Sequence, residues 1–127
     1  MARVLFIEKQ PDLSTTFQTY LELRGYVVQT ASDGAAALDA IATEPPDVLF
    51  LDLSVLRGHS LDVLQHISTW APGVNVFVVS DHVDGQTREQ VYSCGARACL
   101  QKPVTLGQLQ SCVTYTLTRS STPPRWH

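Results

Sequence analysis

The sequence of 127 residues predicts an α/β fold: one domain in which a parallel sheet of five strands carries helices on both faces. Five short apolar runs lack the alternation of a half-exposed strand, as expected where both faces of the sheet are covered. A segment with helical spacing follows each run, and helical crossovers are the connections that join parallel strands. The length suits a single domain with its own core.

The predicted strands are the apolar runs themselves, and they cover residues 4–7, 26–31, 47–52, 74–80 and 98–101. Residues 48–51 form the most strongly apolar part of the third strand, which ends on the carboxylate of Asp52. In open α/β sheets, functional sites lie at the carboxyl ends of the strands. The third strand is therefore the element around which a site is expected.

The predicted helices cover residues 11–24, 35–43, 61–70, 86–94 and 106–117, and each has a recognisable start or end. Pro11 suits the first turn of helix 1, and Gly25 ends that helix. Ser60 is the expected N-cap of helix 3. Thr105 and Gln108 have the spacing of a capping box for helix 5. Residues 120–127 contain two adjacent prolines and are expected to form a tail or the start of a linker after a folded domain of residues 1–119.

Composition excludes several classes of function. The net charge of −3 gives no basic footprint, so we expect no nucleic-acid binding by this domain. No apolar run approaches the roughly 20 residues that span a bilayer, and no signal peptide is evident, so a cytoplasmic location without membrane contact is expected. The three cysteines match no zinc pattern and are expected to be reduced, packed thiols.

Polar residues stand at or just past the ends of four of the five strands, and parallel strands bring these ends to one edge of the sheet. They are Glu8 and Lys9, Asp52, Ser80 and Lys102. Such a set can hold a phosphoryl group, with Asp52 as the nucleophile, Lys102 neutralising the transferred oxygens and Ser80 donating a hydrogen bond to one of them.

These residues, in this order, resemble the receiver domain of two-component response regulators (CheY-like). The resemblance covers about residues 3–118 and includes the Asp at the end of strand 3, the Ser at the end of strand 4 and the Lys-Pro after strand 5. Shorter matches occur at residues 10–13, 24–28, 31–34 and 94–96. It implies a flavodoxin-like (βα)5 sheet with strand order 2-1-3-4-5, phosphorylation of Asp52 by a histidine kinase or phosphotransfer protein, and a Mg²⁺ ion beside it. It also implies that a downstream protein or effector domain reads the surface from helix 4 to helix 5.

One departure concerns the metal. The family has an acidic pair after strand 1, and here that pair is Glu8-Lys9. A charged lysine cannot coordinate a metal, and two acids facing Lys9 and Lys102 are already charge-balanced. We therefore predict that Mg²⁺, held by Glu8 and Asp52, binds weakly or not at all. The alternative is that Lys9 turns to solvent and the two acids keep the ion.

Other departures lie near the phosphoryl pocket and the signalling surface. Ser54, Asp81 and His82 occupy positions expected to modulate the pocket, and the carboxylate of Asp81 should repel a phosphoryl group. Cys99 stands where the family has an aromatic switch residue. Because a thiol has no ring to exchange between buried and exposed rotamers, the usual relay from Ser80 is in doubt.

Three functions follow from these observations. The first is a phosphoacceptor receiver domain, which is a signalling domain with at most weak self-dephosphorylation rather than an enzyme. The second is a pseudo-receiver, which would use the same fold to bind a protein without phosphorylation and would explain Lys9, Asp81 and Cys99 together. The third is a flavin-binding enzyme. The sequence argues against it, because the loop after strand 1 lacks the Gly, Ser and Thr residues that would bind a phosphate group. Homodimers are common in the family, but no sequence feature here fixes an oligomeric state.

Overall fold

The computed structural model describes residues 2–8, 11–56 and 60–118. Strands β1 Arg3–Ile7, β2 Val27–Ala31, β3 Val48–Asp52, β4 Asn75–Ser80 and β5 Ala98–Gln101 alternate with five helices. The helices are α1 Pro11–Glu22, α2 Gly34–Thr43, α3 Ser60–Trp70, α4 Gly85–Ser93 and α5 Leu106–Thr118. All ten predicted elements are present, with ends that differ by one or two residues.

The five strands form one parallel sheet in the order β2-β1-β3-β4-β5, which confirms the predicted fold. The strand β3 lies at the centre, paired with β1 on one side and β4 on the other. All five of its residues are buried, which explains the lack of alternation in its sequence. Since β3 is central, its last residue lies in the middle of the carboxyl edge of the sheet.

Two apolar cores cover the two faces of the sheet. Side chains from α2, α3 and α4 pack on one face against residues that include Leu49, Leu51 and Cys99. Side chains from α1 and α5 pack on the other face against Phe6, Phe50 and Phe77. On that second face the rings of Phe6 and Phe50 are stacked with centroids 5.1 Å apart. The cysteines are free thiols, buried at Cys99 and Cys112 and half-buried at Cys94, as the sequence indicated.

Local signals act largely as predicted. Thr105 and Gln108 form the capping box, with the Gln108 amide 3.1 Å from Thr105 Oγ1 and the Thr105 amide 3.0 Å from Gln108 Oε1. The loop predicted after β3 differs: its first residues, Leu53–Leu56, form a 3₁₀ turn, while residues 57–59 lie outside the described part of the chain. This turn follows directly from Asp52, which places its residues beside the site.

Candidate functional site

The carboxyl edge of the sheet brings together most of the residues that the sequence singled out. Asp52 ends β3 and Ser80 ends the neighbouring β4, while Glu8 and Lys102 directly follow β1 and β5. Lys9 and residues 57–59 fall outside the described ranges, so the role predicted for Lys9 stays a prediction.

Asp52 is the buried charge of this edge, with only 5% of its surface exposed. Its Oδ2 accepts a hydrogen bond from Lys102 Nζ at 2.5 Å, which forms an ion pair. Its Oδ1 accepts two hydrogen bonds from Ser54, one from the backbone amide at 2.9 Å and one from the hydroxyl at 2.8 Å. A buried carboxylate needs such partners, because an unpaired charge in this environment is costly.

Lys102 is held as a cation by the acids around it. Partial burial acts to lower its pKa, but the hydrogen bond and charge of Asp52, together with the charges of Asp81 and Glu8, raise the pKa above its usual value. Asp81 is exposed and close enough to contribute to this attraction. The extra carboxylate that was expected to repel a phosphoryl group therefore also helps to keep the lysine charged.

Glu8 lacks the partners that Asp52 has. Its Oε1 is buried and has no hydrogen-bond partner among the described residues. Burial raises the pKa of the Glu8 carboxyl, the Asp52 carboxylate raises it further, and Lys102 only partly opposes these effects. Glu8 is therefore the carboxylate of this edge that would gain most from a nearby cation.

Ser80 does not bond Asp52 here. Its hydroxyl lies 3.1 Å from the backbone carbonyl of His82, to which it donates, and its oxygen lies 3.3 Å from the His82 amide. The hydroxyl therefore holds the loop between β4 and α4. Asp84, two residues beyond His82, caps α4 by accepting from the Thr87 amide at 2.7 Å. Sequence reasoning placed Ser80 at the right edge but gave no signal for this bond, which depends on the loop conformation.

A small cavity of about 20 Å³ lies under the Asp52–Lys102 pair, on the α1 and α5 side of the sheet. Glu8, Asp52 and Lys102 line it together with the rings of Phe6, Phe17 and Phe50. Its volume suits one water molecule. The apolar walls leave the two carboxylates and the lysine in a medium that screens their charges less than bulk water does.

The described residues contain no cluster of three or more His, Cys, Asp or Glu side chains arranged to hold a metal. The Asp52 carboxylate raises the pKa of Glu8, and both carboxylates help to raise the pKa of Lys102, so these three groups lie close enough to interact. Glu8 Oε1, which has no hydrogen-bond partner among the described residues, fits a cation, although two carboxylates provide few ligands for one.

The fold and the lysine-paired carboxylate at the end of its central strand define the class of two-component receiver domains. The chain belongs to the response regulator receiver domain family, whose model matches residues 4–114. Members of this family are signalling domains rather than classical enzymes, and they work with histidine kinases and effector domains. They generally bind Mg²⁺ at the phosphorylation site.

Individual relatives agree with this assignment. The chain is 38% identical over 103 residues to the transcriptional regulatory protein KdpE of Mycobacterium tuberculosis, which covers 81% of this chain and 45% of KdpE. The chain thus spans less than half the length of that relative. The receiver domain of NtrX from Brucella abortus superimposes with a TM-score of 0.81 and 26% identity, over 92% of this chain and 99% of that one.

A response regulator from Burkholderia pseudomallei has the same fold, with a TM-score of 0.82 over 94% of this chain and 71% of that one. Its identity to this chain is 22%, and its crystal structure holds a phosphorylated aspartic acid, a calcium ion and citrate. Within the described ranges of the present chain, no helix is both long and apolar enough to cross a bilayer.

Proposed function

We propose that Asp52 accepts a phosphoryl group from a histidine kinase or a phosphotransfer protein. The observation that carries this proposal is the buried Asp52 carboxylate paired with Lys102 Nζ at 2.5 Å, at the carboxyl end of the central strand. A phosphorylated aspartate in the Burkholderia pseudomallei structure supports the assignment by analogy of fold.

The residues around Asp52 suit nucleophilic phosphoryl transfer. A carboxylate oxygen of Asp52 forms a bond to phosphorus while the bond from phosphorus to the donor breaks, and the donor leaves with the electron pair. The leaving donor carries away the negative charge that Asp52 loses, and Lys102 can then pair with the negative oxygens of the bound phosphoryl group. Ser80 can rotate its hydroxyl from His82 towards the same oxygens. Slow attack of water on the phosphorylated site gives at most weak self-dephosphorylation.

Mg²⁺ would be held by Glu8 and Asp52, and its affinity is expected to be low because Lys9 replaces an acidic residue. When bound, the ion supplies positive charge to the phosphoryl oxygens. Glu8 Oε1 supports this role because it has no hydrogen-bond partner within the described ranges, and a cation would offset both the cost of burying the Glu8 charge and its repulsion by Asp52. A titration followed by NMR tests the affinity, and saturation below millimolar Mg²⁺ would contradict the weak binding.

The signal is proposed to leave the site through the loop before α4 and to reach the surface formed by α4, β5 and α5. Cys99 is buried in β5 and has no ring to move, which argues against a relay through that strand. The Ser80 hydroxyl is bonded to the His82 backbone, so its rotation towards a phosphoryl group would release the loop that leads to the Asp84 cap of α4.

The surroundings of this domain are also part of the proposal. We propose that residues 1–119 are the receiver domain and that residues 120–127, which lie outside the described part of the chain, are a tail or the start of a linker to an effector domain. A longer protein would be consistent with the greater length of KdpE. Binding of nucleic acid would then be a property of the effector and not of this acidic domain.

The experiment is to incubate the protein with acetyl phosphate and Mg²⁺ and to measure its intact mass. We expect one added phosphoryl group, sensitive to hydroxylamine as an acyl phosphate is, and absent from Asp52→Asn. Asp39→Asn is the matched control, because Asp39 is an exposed acid on α2, away from the site. A protein that takes up no phosphoryl group and shows no NMR shift with beryllofluoride would instead act as a pseudo-receiver, and an adduct retained in Asp52→Asn would place the phosphoacceptor elsewhere.

A further inference from the structure

The hydrogen bonds of Asp52 are unevenly divided between its two oxygens. An ionised carboxylate offers about four lone-pair positions, two on each oxygen. Oδ1 uses both of its positions to accept the amide and the hydroxyl of Ser54, while Oδ2 accepts from Lys102. Oδ1 is therefore fully occupied by a single residue.

Both oxygens of Asp52 are needed if it is to be phosphorylated beside a cation. One oxygen would form the bond to phosphorus, and the other would have to offer a lone pair to the cation. Because Oδ1 has no free position, one of the two Ser54 donors must leave before this arrangement can form. The two donors differ in how easily they can do so.

The Ser54 hydroxyl is the donor that can leave. The amide is fixed by the 3₁₀ turn Leu53–Leu56, so moving it would require the backbone to move. The hydroxyl needs only a rotation of one side-chain torsion, and Ser54 is exposed, so water can replace Asp52 as its partner. Rotation of this hydroxyl is thus the smallest change that frees Oδ1.

We infer that the Ser54 hydroxyl is a removable mask over Asp52 Oδ1 that slows both Mg²⁺ binding and phosphoryl transfer at this site. The inference rests on the proposed function of Asp52 as phosphoacceptor. A hydrogen bond to the carboxylate is strongest while the carboxylate carries its full charge, and it weakens as the bond to phosphorus draws that charge away. Such a bond stabilises the ground state more than the transition state, so it slows the reaction. Ser54 is in this sense a positioning residue and not a catalytic one.

The chemical step itself is unchanged by the mask. With acetyl phosphate, a lone pair of an Asp52 oxygen forms the new O–P bond, the P–O bond to acetate breaks, and acetate leaves with the electron pair. Ser54 keeps its proton, which turns from Oδ1 to water. Removing the hydroxyl should therefore change the rate of labelling and the cation affinity without changing the product.

The test compares the wild-type protein with Ser54→Ala and Ser54→Thr. We expect Ser54→Ala to be phosphorylated by acetyl phosphate about threefold to tenfold faster, the size of one net hydrogen bond to an exposed hydroxyl. Its dissociation constant for Mg²⁺, measured by NMR titration, should fall by a similar factor. Ser54→Thr keeps the hydroxyl and should stay within about twofold of the wild-type rate. Ser111→Ala removes an exposed hydroxyl on α5 and should change neither quantity.

The other outcomes are distinguishable. Faster labelling of both Ser54 variants would point to loosened packing of the turn, and slower labelling of Ser54→Ala would mean that the hydroxyl assists the reaction; either result overturns the inference. Equal rates and equal Mg²⁺ affinities also overturn it. If no variant is labelled, the proposed function fails, and the Mg²⁺ titration alone decides whether Ser54 masks Asp52. In all cases the NMR signal of the amide at position 54 reports whether the turn is intact. The hydrogen bond of this amide to Oδ1 should persist in Ser54→Ala.

Discussion

The two edges of the sheet carry similar residue types and use them differently. At the amino edge, Arg3 forms an ion pair with Glu44, and its backbone amide donates to Asp47 Oδ2 at 2.8 Å. There Arg97 Nε donates to Asn75 Oδ1 at 3.1 Å, and Asn75 Nδ2 donates to the Asp47 carbonyl, also at 3.1 Å. These contacts are exposed, so the charged groups are also solvated by water.

At the carboxyl edge the charges are buried and less evenly satisfied. Asp52 and Lys102 pair with side-chain exposures of 6% and 17%, and Glu8 has a buried oxygen with no partner among the described residues. The amino edge therefore uses its charges to connect strand starts, whereas the carboxyl edge holds charges that the described residues satisfy only in part.

The largest effect is expected in the stability lost when each ion pair is broken, which should differ between the two edges. Lys102→Met leaves the buried Asp52 carboxylate without its cation and should lower the free energy of unfolding by about 3 kcal/mol at neutral pH. Arg3→Met breaks the exposed pair with Glu44 and should cost less than about 1 kcal/mol. Urea unfolding monitored by circular dichroism measures both values.

A double variant provides the control for this comparison. Asp52→Asn combined with Lys102→Met removes both charges and should recover most of the stability lost in Lys102→Met alone. Equal losses in Lys102→Met and Arg3→Met would show that the two edges do not differ in the way that their burial indicates.

This comparison also shows what the sequence could predict. The pairing of Asp52 with Lys102 was predictable, because parallel strands and a known strand order bring their ends together. The amino-edge contacts were not predicted, although Asp47, Asn75 and Arg97 all stand at or just before the start of a strand. Strand starts recur in any α/β sequence, and which side chains meet there depends on the register between strands.

The orientation of hydroxyls was equally beyond the sequence. Ser54 and Ser80 were both placed near the pocket, but a hydroxyl chooses its partner from the local backbone. Ser54 donates to Asp52 because a 3₁₀ turn follows β3, and Ser80 donates to His82 because the loop after β4 turns back. Neither backbone conformation has a distinctive residue pattern here. The sequence could therefore predict which serines lie near the pocket, but not which atoms their hydroxyls bond.

An intermediate effect is expected at Glu8, whose buried Oε1 has no hydrogen-bond partner among the described residues. Glu8→Gln keeps the shape of the side chain but removes a buried charge that is repelled by Asp52, so without Mg²⁺ it should raise the stability by about 1 kcal/mol at neutral pH. The gain should shrink as the pH falls, since the raised pKa of Glu8 means that the wild-type side chain becomes neutral early. Glu89→Gln on α4 is the exposed control and should have little effect. A loss of stability in Glu8→Gln would mean that Glu8 is already satisfied.

The smallest effect is expected at an exposed carboxylate of the same edge that already accepts a hydrogen bond. Asp84 caps α4, and the backbone and side-chain hydrogen bonds of Thr87 lower its pKa below the usual value. A carboxyl with a lowered folded-state pKa stabilises the protein above its ordinary pKa, and this stabilisation is lost as the pH falls through the lowered value. Asn is an equally good cap but does not titrate, so Asp84→Asn should remove this dependence on pH.

The measurement is the midpoint of thermal unfolding between about pH 5 and pH 2. The wild-type protein should be more stable than Asp84→Asn by about 1–2 °C at the upper end, because a charged cap interacts with the helix dipole. The two curves should meet and then cross as Asp84 is protonated. Ser111→Ala, an exposed change on α5 that removes no titratable group, should follow the wild-type curve at a constant offset. Parallel curves for Asp84→Asn would mean that the pKa of Asp84 is the same in the folded and unfolded states. The carboxyl edge would then differ from the amino edge only at Glu8, Asp52 and Lys102.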